Sequence, residues 1–166
     1  TDDGRKNLSL LKKYFKLNEI GDLNQIHSDI IFNYDGKWKD GDGIVTDKKN
    51  IGIGVFTADC VPVLIYDKKK NAAAAVHSGW KGTAKCIVSK TVYYMESEYG
   101  SRPEDLIIYI GPNNRVCCYD FGEELVNKFF NDPLYVSNNI FVNGKLDLEK
   151  CIRLQLLKAG VPCRNI

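Results

Sequence analysis

The arrangement of short apolar runs around one helical stripe constrains the fold of this chain most strongly. Residues 61–66, 72–77 and 106–110 are short apolar runs, each of a length typical of a buried strand. Between the last two runs, apolar residues recur at helical spacing at Ala84, Ile87, Val88, Val92 and Met95. Residues 72–110 therefore predict a βαβ unit, whose crossover should be right-handed. We expect a mixed α/β (α+β) fold, in which a mixed β-sheet core carries helices packed outside it.

Local patterns predict further elements on both sides of this unit. The expected elements are a helix near residues 8–15, extended chain over 23–32, a strand over 51–55 and a helix over 123–130. Asn143-Gly144 is typical of a hairpin turn between two short apolar stretches. Asp147 is expected to cap a last helix that continues to Lys158 and stops at Gly160.

Composition and charge argue against several classes of protein. The chain has 166 residues, 44% of them hydrophobic, which suits one domain with a single packed core. Lysine and arginine number 23 against 21 aspartate and glutamate residues, and this near balance argues against a nucleic-acid surface. No apolar run approaches the roughly 20 residues of a membrane span, and no secretory signal is visible. The six irregularly spaced cysteines then favour reduced thiols and a cytoplasmic location.

The chain has only two histidines, His27 and His77, and Cys60 lies between them in the sequence. The strand pattern predicts that His77 ends one strand and that Cys60 lies in the break between two others. Two imidazoles and a thiolate suit Zn²⁺ or copper, and three protein ligands leave the open position of a catalytic zinc site. An open zinc lowers the pKa of bound water to about 7 or polarises a substrate oxygen. Spacing alone favours a plainer alternative, satisfied polar histidines and a core cysteine, because the three residues share no local metal signature.

A glycine-containing turn follows the second histidine. It reads Ser-Gly-Trp-Lys-Gly-Thr over residues 78–83, and we expect a helix to start near its last residue. Gly79 and Gly82 free backbone N–H groups to face an anion, the helix N-terminus adds positive potential, and Lys81 adds a charge. The turn is not a P-loop, since the Gly-x-x-x-x-Gly-Lys spacing is absent. A plain glycine turn with a packed Trp80 is at least as good an interpretation.

Two aspartates and an adjacent cysteine pair complete the set of candidate residues. Asp59 and Asp42 are candidates for proton transfer or for supporting a ligating histidine, which usually donates its other ring N–H to a carboxylate or carbonyl. An ordinary turn or capping aspartate is an equally good interpretation of each. The Cys117-Cys118 pair cannot easily chelate a metal, and we expect it to be structural.

Several stretches of the sequence match a known family in order. They are Gln25-Ile26-His27, Asp42 with Ile-Val-Thr-Asp at 44–47, Thr-Ala-Asp-Cys-Val-Pro-Val-Leu at 57–64, Ala-Val-His-Ser-Gly-Trp-Lys-Gly at 75–82, and 110–119 from Ile-Gly-Pro through Cys-Cys-Tyr. On these motifs the chain resembles the YfiH-like proteins, also called the laccase-domain or polyphenol-oxidase family. The resemblance covers nearly the whole chain, and its Thr-Ala-Asp-Cys and His-x-Gly-Trp motifs are specific.

The resemblance implies a metal site and a purine-related activity. Members of the family are described as zinc-dependent purine nucleoside phosphorylases that also cleave methylthioadenosine and deaminate adenosine. An older description makes them copper-dependent polyphenol oxidases. Their metal ligands correspond to His27, Cys60 and His77, and this overturns the plainer interpretation of these residues. The implied fold is a mixed α/β arrangement and not the cupredoxin sandwich of multicopper oxidases.

Three departures from the family pattern concern the substrate pocket. Lys81 stands where the family usually has arginine, so the charge is kept and the bidentate geometry is lost. Asn113-Asn114-Arg115 replaces a small, apolar stretch of the pocket wall. The family's N-terminal β segment and its C-terminal Cys-Thr and Ser-Tyr-Arg-Arg segment find no counterpart here. We expect residues 1–166 to form a single YfiH-like catalytic domain, with those segments either absent or outside this sequence.

The function implied by the resemblance is metal-dependent phosphorolysis of purine nucleosides (adenosine, inosine, guanosine, methylthioadenosine), with adenosine deamination as a side activity. The expected catalytic residues are Cys60, His77 and Asp59, and the expected substrate- and phosphate-binding residues are Lys81, Gly79, Gly82 and Asp42. The cofactor is Zn²⁺, with copper as the alternative, and the partners are a small-molecule nucleoside and phosphate rather than nucleic acid or a membrane. Two alternatives stay open. One is a copper-dependent polyphenol oxidase, although two histidines cannot supply a multicopper centre, and the other is a metal-stabilised, non-catalytic interaction module that uses an exposed Trp80 region.

Overall fold

The computed structural model describes residues 2–119, 127–129 and 132–166 of the chain. The helices are α1 (Asp2–Tyr14), α2 (Trp80–Ala84), α3 (Ile87–Tyr99), α4 (Pro133–Val136) and α5 (Leu148–Lys158), with short 3-10 turns at Pro103–Asp105 and Cys163–Asn165. The strands are β1 (Glu19–Gly21), β2 (Ile31–Asn33), β3 (Gly43–Thr46), β4 (Ile51–Ile53), β5 (Val61–Asp67), β6 (Ala72–Ser78), β7 (Leu106–Ile110), β8 (Phe141–Val142) and β9 (Lys145–Leu146).

Five strands form the central sheet in the order β2-β3-β6-β5-β7. β2 and β3 are parallel, whereas β6 pairs antiparallel with both β3 and β5, and β5 pairs antiparallel with β7. The two strands of the predicted βαβ unit, β6 and β7, are consequently parallel and lie on either side of β5, with α2 and α3 in the connection. The sheet is mixed and the helices pack outside it, which confirms the predicted fold class.

The main core fills one face of this sheet. Along β5, Val63 and Ile65 are buried whereas Leu64 is exposed, as expected for a strand that is covered on one face. The buried side chains of β5 belong to one apolar cluster with residues of α3 and α5, including Val92 and Ile152. This packing fixes the sheet against two helices and leaves the ends of its strands free to carry loops.

A second sheet consists of the parallel strands β1 and β4 and packs on the other face. Ile51 and Ile53 of β4 contact a small cluster that contains Ile44 of β3 and Ala75 of β6. Ile44 points away from the main core because it alternates along β3 with Val45, which belongs to that core. Since β1 and β4 are parallel, the loops that follow them leave at the same end of the molecule.

The local predictions for the C-terminal region are confirmed. β8 and β9 pair antiparallel across Asn143 and Gly144, whose φ angles of 52° and 76° suit a type I′ hairpin turn. The side chain of Asp147 caps α5 by accepting a hydrogen bond of 2.9 Å from the Lys150 N–H. Both features depend on neighbouring residues alone, so the sequence pattern was sufficient to predict them.

Other predicted elements differ from the structure in detail. The helical stripe over 84–95 is divided, because Ala84 ends α2 and Cys86 adopts a left-handed conformation at φ 60° before α3 begins. Of the helix predicted over 123–130, only residues 127–129 lie within the described residues, and these are helical. The sequence patterns do not predict β1 and β3, which have 3 and 4 residues and depend on their partner strands.

No helix in the described part of the chain is long and apolar enough to cross a membrane. All six cysteines lie within the described residues, and none of them forms a disulfide. Burial raises the pKa of the Cys151 thiol, which lies in the main core. That thiol is therefore chemically inert.

We predict that Ile65→Ala lowers the free energy of unfolding by about 2–5 kcal/mol, because it leaves a cavity in the main core. Ile65 is 1% exposed, whereas its neighbour Leu64 on the same strand is 45% exposed. Leu64→Ala is the matched control and should cost less than about 1 kcal/mol. Urea denaturation followed by circular dichroism measures both, and equal costs would contradict the assigned faces of β5.

Candidate metal centre

Two loops and the end of one strand bring His27, Cys60 and His77 together. His27 follows β1, Cys60 immediately precedes β5, and His77 is the penultimate residue of β6. One potential ligand atom of each side chain lies within 4.8 Å of the other two. The imidazole rings of His27 and His77 meet edge to face with centroids 4.8 Å apart, and Cys60 Sγ lies 3.9 Å from His27 Nε2. The structure thus places the three predicted ligands at one point, and the described residues contain no second group of this kind.

The three side chains differ in solvent exposure. His77 is only 3% exposed, Cys60 is half-buried and His27 is exposed. The group is therefore anchored in the protein on the His77 side and reachable from solvent on the His27 side. A small molecule can approach it without any rearrangement of the core.

The buried carboxylate of Asp42 connects the two histidines. Its side chain is 0% exposed, and its Oδ1 accepts a hydrogen bond of 2.7 Å from His77 Nδ1. It also accepts from the backbone N–H of His27 at 3.1 Å, from that of Ser28 at 2.5 Å, and from the Ser28 hydroxyl at 2.7 Å. One carboxylate thus orients the ring of one histidine and the backbone of the other.

The position of Asp42 bears on the three roles that the sequence suggested for it: proton transfer, support of a ligating histidine, and binding of substrate or phosphate. Full burial keeps this carboxylate away from a substrate, whereas its bond to His77 is the support that a ligating histidine usually has. The bonds to the His27 and Ser28 amides also hold a tight turn, in which His27 lies at φ 58°. Residues other than glycine rarely adopt this conformation without such local restraint.

The electrostatics of the Asp42–His77 pair favour its charged form. Burial alone would lower the pKa of His77, but the bond to Asp42 and the neighbouring Cys60 raise that pKa to about 9. Burial would raise the pKa of Asp42, but hydrogen bonds from His77 and Ser28 lower it to about 2. Because Nδ1 of His77 is engaged with Asp42, Nε2 is the atom available to a metal, and metal binding must displace its proton.

The donor set fits a single zinc ion. Bond lengths of about 2.0–2.3 Å place tetrahedral nitrogen and sulfur donors roughly 3.3–3.6 Å apart. The separations here reach at most 4.8 Å, so shifts of about an ångström would close the site. Three protein donors leave a fourth position for water or substrate, as in catalytic zinc sites.

Helix α2 begins directly beside these ligands, and glycine permits the close approach. A Cβ on Gly79 would lie 2.9 Å from Cys60 Sγ and 3.1 Å from His27 Cδ2, and one on Gly82 would lie 2.9 Å from the Ser28 carbonyl oxygen. The helix starts at Trp80, earlier than the predicted start near residue 83, because Gly79 already serves as its N-cap. These glycines have a packing role that the sequence did not reveal, and their predicted role toward an anion stays a prediction.

The remaining predicted site residues are Lys81, on the first turn of α2, and Asp59, directly before Cys60. Lys81 is exposed, with its Nζ 5.5 Å from the ring centroid of Trp80, and Lys128 Nζ lies 5.1 Å from the same centroid. Trp80 itself is half-buried and packs against the main core, so it offers less exposed surface than an interaction module would need. Asp59 is exposed, and its backbone carbonyl accepts a hydrogen bond of 3.0 Å from the Asn114 N–H.

Two residues near the candidate ligands, Ser28 and Tyr119, had no role predicted from the sequence. Ser28 completes the set of donors around Asp42, and its position directly after His27 was the only available signal. Tyr119 is half-buried, and burial, followed by the charges of Cys60 and Asp59, raises the pKa of its hydroxyl. It formed part of a matched motif, but nothing in the sequence indicated that it lies near Cys60.

Comparison with known proteins identifies clear relatives. Residues 2–166 match the family described as multi-copper polyphenol oxidoreductase laccase. A purine nucleoside phosphorylase of Clostridium acetobutylicum is 50% identical over 171 residues, covering 100% of this chain and 72% of that protein. Purine nucleoside phosphorylase LACC1 of Homo sapiens is 32% identical over 154 residues, covering 92% of this chain and 36% of that protein.

Solved structures share the fold. The crystal structure of the Bacillus licheniformis hypothetical protein YfiH has a TM-score of 0.88 at 30% identity, covering 97% of this chain and 67% of that one. YlmD of Geobacillus stearothermophilus has a TM-score of 0.87 at 27% identity, covering 96% of this chain and 66% of that one. The chain therefore spans about two thirds of these structures, and the predicted distinction from the cupredoxin fold is confirmed.

We predict that Gly79→Ala weakens zinc binding by roughly ten- to hundredfold, as displacement of supporting groups typically does. The new methyl group would meet Cys60 and His27 closer than ordinary contact, although the backbone at φ −72° and ψ 173° accepts alanine. Gly54→Ala is the control, because its Cβ would meet nothing within 4 Å. Competition with a chromophoric chelator measures the affinities, and wild-type affinity in Gly79→Ala would show that the close approach is unimportant.

Proposed function

This chain belongs to the YfiH-like family of laccase-domain proteins, and we propose that it is a zinc-dependent purine nucleoside phosphorylase. The observation that carries the proposal is the convergence of His27, Cys60 and His77 at a site open on one side. Relatives named purine nucleoside phosphorylases support the choice of reaction. The proposed substrates are phosphate and a purine nucleoside such as adenosine, inosine, guanosine or methylthioadenosine, and residues 1–166 are the proposed catalytic domain.

The proposed reaction moves the ribosyl group from purine to phosphate. The bond between C1′ and the purine nitrogen breaks, a bond between C1′ and a phosphate oxygen forms, and the purine leaves with a proton. Lys81 is proposed to hold the phosphate, because it is exposed on the first turn of α2, the helix that begins beside the candidate ligands. Asp59 is proposed to exchange the proton, because its exposed carboxyl directly precedes Cys60.

Zinc is the proposed cofactor, held by His27, Cys60 and His77. When bound, it would supply Lewis acidity toward a substrate oxygen or nitrogen. Asp42 keeps the His77 ring fixed from behind, so the ring needs no reorientation during the reaction. The absence of a disulfide among the six cysteines supports the proposed reducing, cytoplasmic compartment.

Two further chemistries are candidates at the same site. Adenosine deamination would use water instead of phosphate, and the half-exposed ligand group leaves room for it. Phenol oxidation is suggested by the printed description of the family and by the copper affinity of imidazole and thiolate ligands. The chain has two histidines in all, which argues against the several coppers of a laccase and favours the phosphorylase.

One assay separates these reactions. The purified protein is incubated with adenosine, with and without phosphate, and in a separate arm with a phenol under air. The products are resolved by chromatography, and the metal content of the protein is measured by mass spectrometry. Phosphate-dependent adenine and ribose 1-phosphate support the proposal. Inosine without phosphate would indicate a deaminase, and oxidised phenol with bound copper would indicate an oxidase. No turnover in any arm would favour a non-catalytic module.

We predict that Cys60→Ala lowers bound zinc and nucleoside cleavage together while the fold persists, since a catalytic site contributes less to folding than a structural one. Cys163→Ala is the matched control, because that thiol is exposed and outside the ligand group. Metal analysis, activity and circular dichroism are measured on both variants. One equivalent of zinc with full activity in Cys60→Ala would rule out the proposed ligand.

We predict that Lys81→Ala raises the phosphate concentration needed for half-maximal adenosine cleavage about ten- to hundredfold. The reason is that one charge-assisted contact is worth about 1.5–3 kcal/mol. Deamination, which uses water, should suffer less. Lys68→Ala is the control, since Lys68 is exposed in the turn between β5 and β6, at the opposite end of β6 from His77. Phosphate titration measures the effect, and an unchanged response would remove Lys81 from the site.

A further inference from the structure

The side chain of Gln25 forms a two-way hydrogen-bonded pair with the backbone of Phe56. Its Nε2 donates to the Phe56 carbonyl oxygen at 2.7 Å, and its Oε1 accepts from the Phe56 N–H at 2.7 Å. A glutamine amide has the same donor and acceptor as a peptide group. The Gln25 side chain therefore bonds to the Phe56 backbone in the way that the backbone of a neighbouring strand would.

The Gln25–Phe56 pair lies between the two loops that carry His27 and Cys60. The parallel ladder of β1 and β4 ends where the Gly54 N–H donates to the Gly21 carbonyl oxygen at 3.0 Å. Beyond that bond the segments that follow β1 and β4 separate into the loops that carry His27 and Cys60. Gln25 and Phe56 lie on these two loops, so their pair adds one more connection between the loops after the backbone ladder has ended.

The connection completes a set of restraints on the three ligands. Asp42 ties His27 to His77, because its carboxylate bonds to the backbone of the former and the ring of the latter. These bonds do not reach the loop of Cys60. The Gln25–Phe56 pair does reach it, because Phe56 is only four residues before Cys60 and Gln25 only two before His27.

We propose that Gln25 is a positioning residue of the metal centre, which sets the spacing between the His27 and Cys60 loops through its paired bonds to Phe56. The inference rests on the proposed metal site. A loop that loses both hydrogen bonds samples more conformations, so more conformational entropy must be lost when a metal fixes His27 and Cys60 in place. Loss of outer partners of metal ligands typically lowers metal affinity by 10–100-fold.

The test uses two variants and one neighbouring control. Gln25→Ala removes the side chain, and Gln25→Met keeps its approximate length but removes both hydrogen bonds. Asn24→Ala is the control, because Asn24 makes a comparable bond of 2.8 Å to Asp40, which does not connect the two ligand loops. The measurements on the full protein are zinc affinity by chelator competition, amide hydrogen exchange at Phe56 in the metal-free protein, and the urea midpoint of the metal-free protein.

Both Gln25 variants should bind zinc at least tenfold more weakly and exchange the Phe56 amide faster, with an unchanged urea midpoint, while Asn24→Ala stays near wild type. Wild-type zinc affinity in both Gln25 variants would overturn the inference. An equal loss of zinc affinity in Asn24→Ala would assign the effect to general loosening of the loop. A loss in Gln25→Ala alone would assign it to side-chain volume. Either result would overturn the proposal that the paired hydrogen bonds position the loops. Failure of the wild-type protein itself to bind zinc would instead reject the proposed metal site.

Discussion

The arrangement of the candidate site depends on the buried carboxylate of Asp42. A buried charge is costly unless it is paired and hydrogen-bonded, and Asp42 meets this condition with the His77 ring, the Ser28 hydroxyl and the amides of His27 and Ser28. The same bonds that compensate for its burial fix the positions of two ligands. Moving either histidine would remove one of the hydrogen bonds that compensate for the burial of this carboxylate. The geometry of the candidate site and the stability of this region therefore depend on the same bonds.

The two sheets explain why the ligands meet at all. Asp42 and His77 are neighbours because β3 and β6 pair antiparallel, and the His77 N–H donates to the Asp42 carbonyl oxygen at 2.8 Å. His27 and Cys60 follow β1 and β4, which are parallel and release their loops at one end. Gly79 then lets α2 approach within contact of both loops. His77 is thus carried by a strand, whereas His27 and Cys60 lie on loops that are restrained by contacts with their neighbours.

The family description and the names of the relatives point to different chemistries, oxidation and phosphorolysis. The candidate donors are relevant to the choice between these chemistries. Two imidazoles and one thiolate could hold one metal ion and would leave one coordination position open. A single open site that is exposed on the His27 side suits a substrate that must be polarised and then released. Within the described residues, no second group of histidine, cysteine and carboxylate side chains is arranged in this way.

The sequence by itself determined the elements whose signals are local. The strands β5, β6 and β7, the hairpin at Asn143-Gly144 and the cap at Asp147 follow from periodicity and turn chemistry. The motif match also singled out His27, Cys60 and His77 as candidate ligands, which the structure brings together, although their separation along the chain gave no metal signature. Tertiary structure decided the rest: the pairing of β1 with β4 and of β3 with β2 and β6, the enclosure of Asp42, the contacts of Ser28 and Gln25, and the packing reason for Gly79. These features depend on contacts between residues far apart in the chain, and such contacts exist only once strand pairing and register are set.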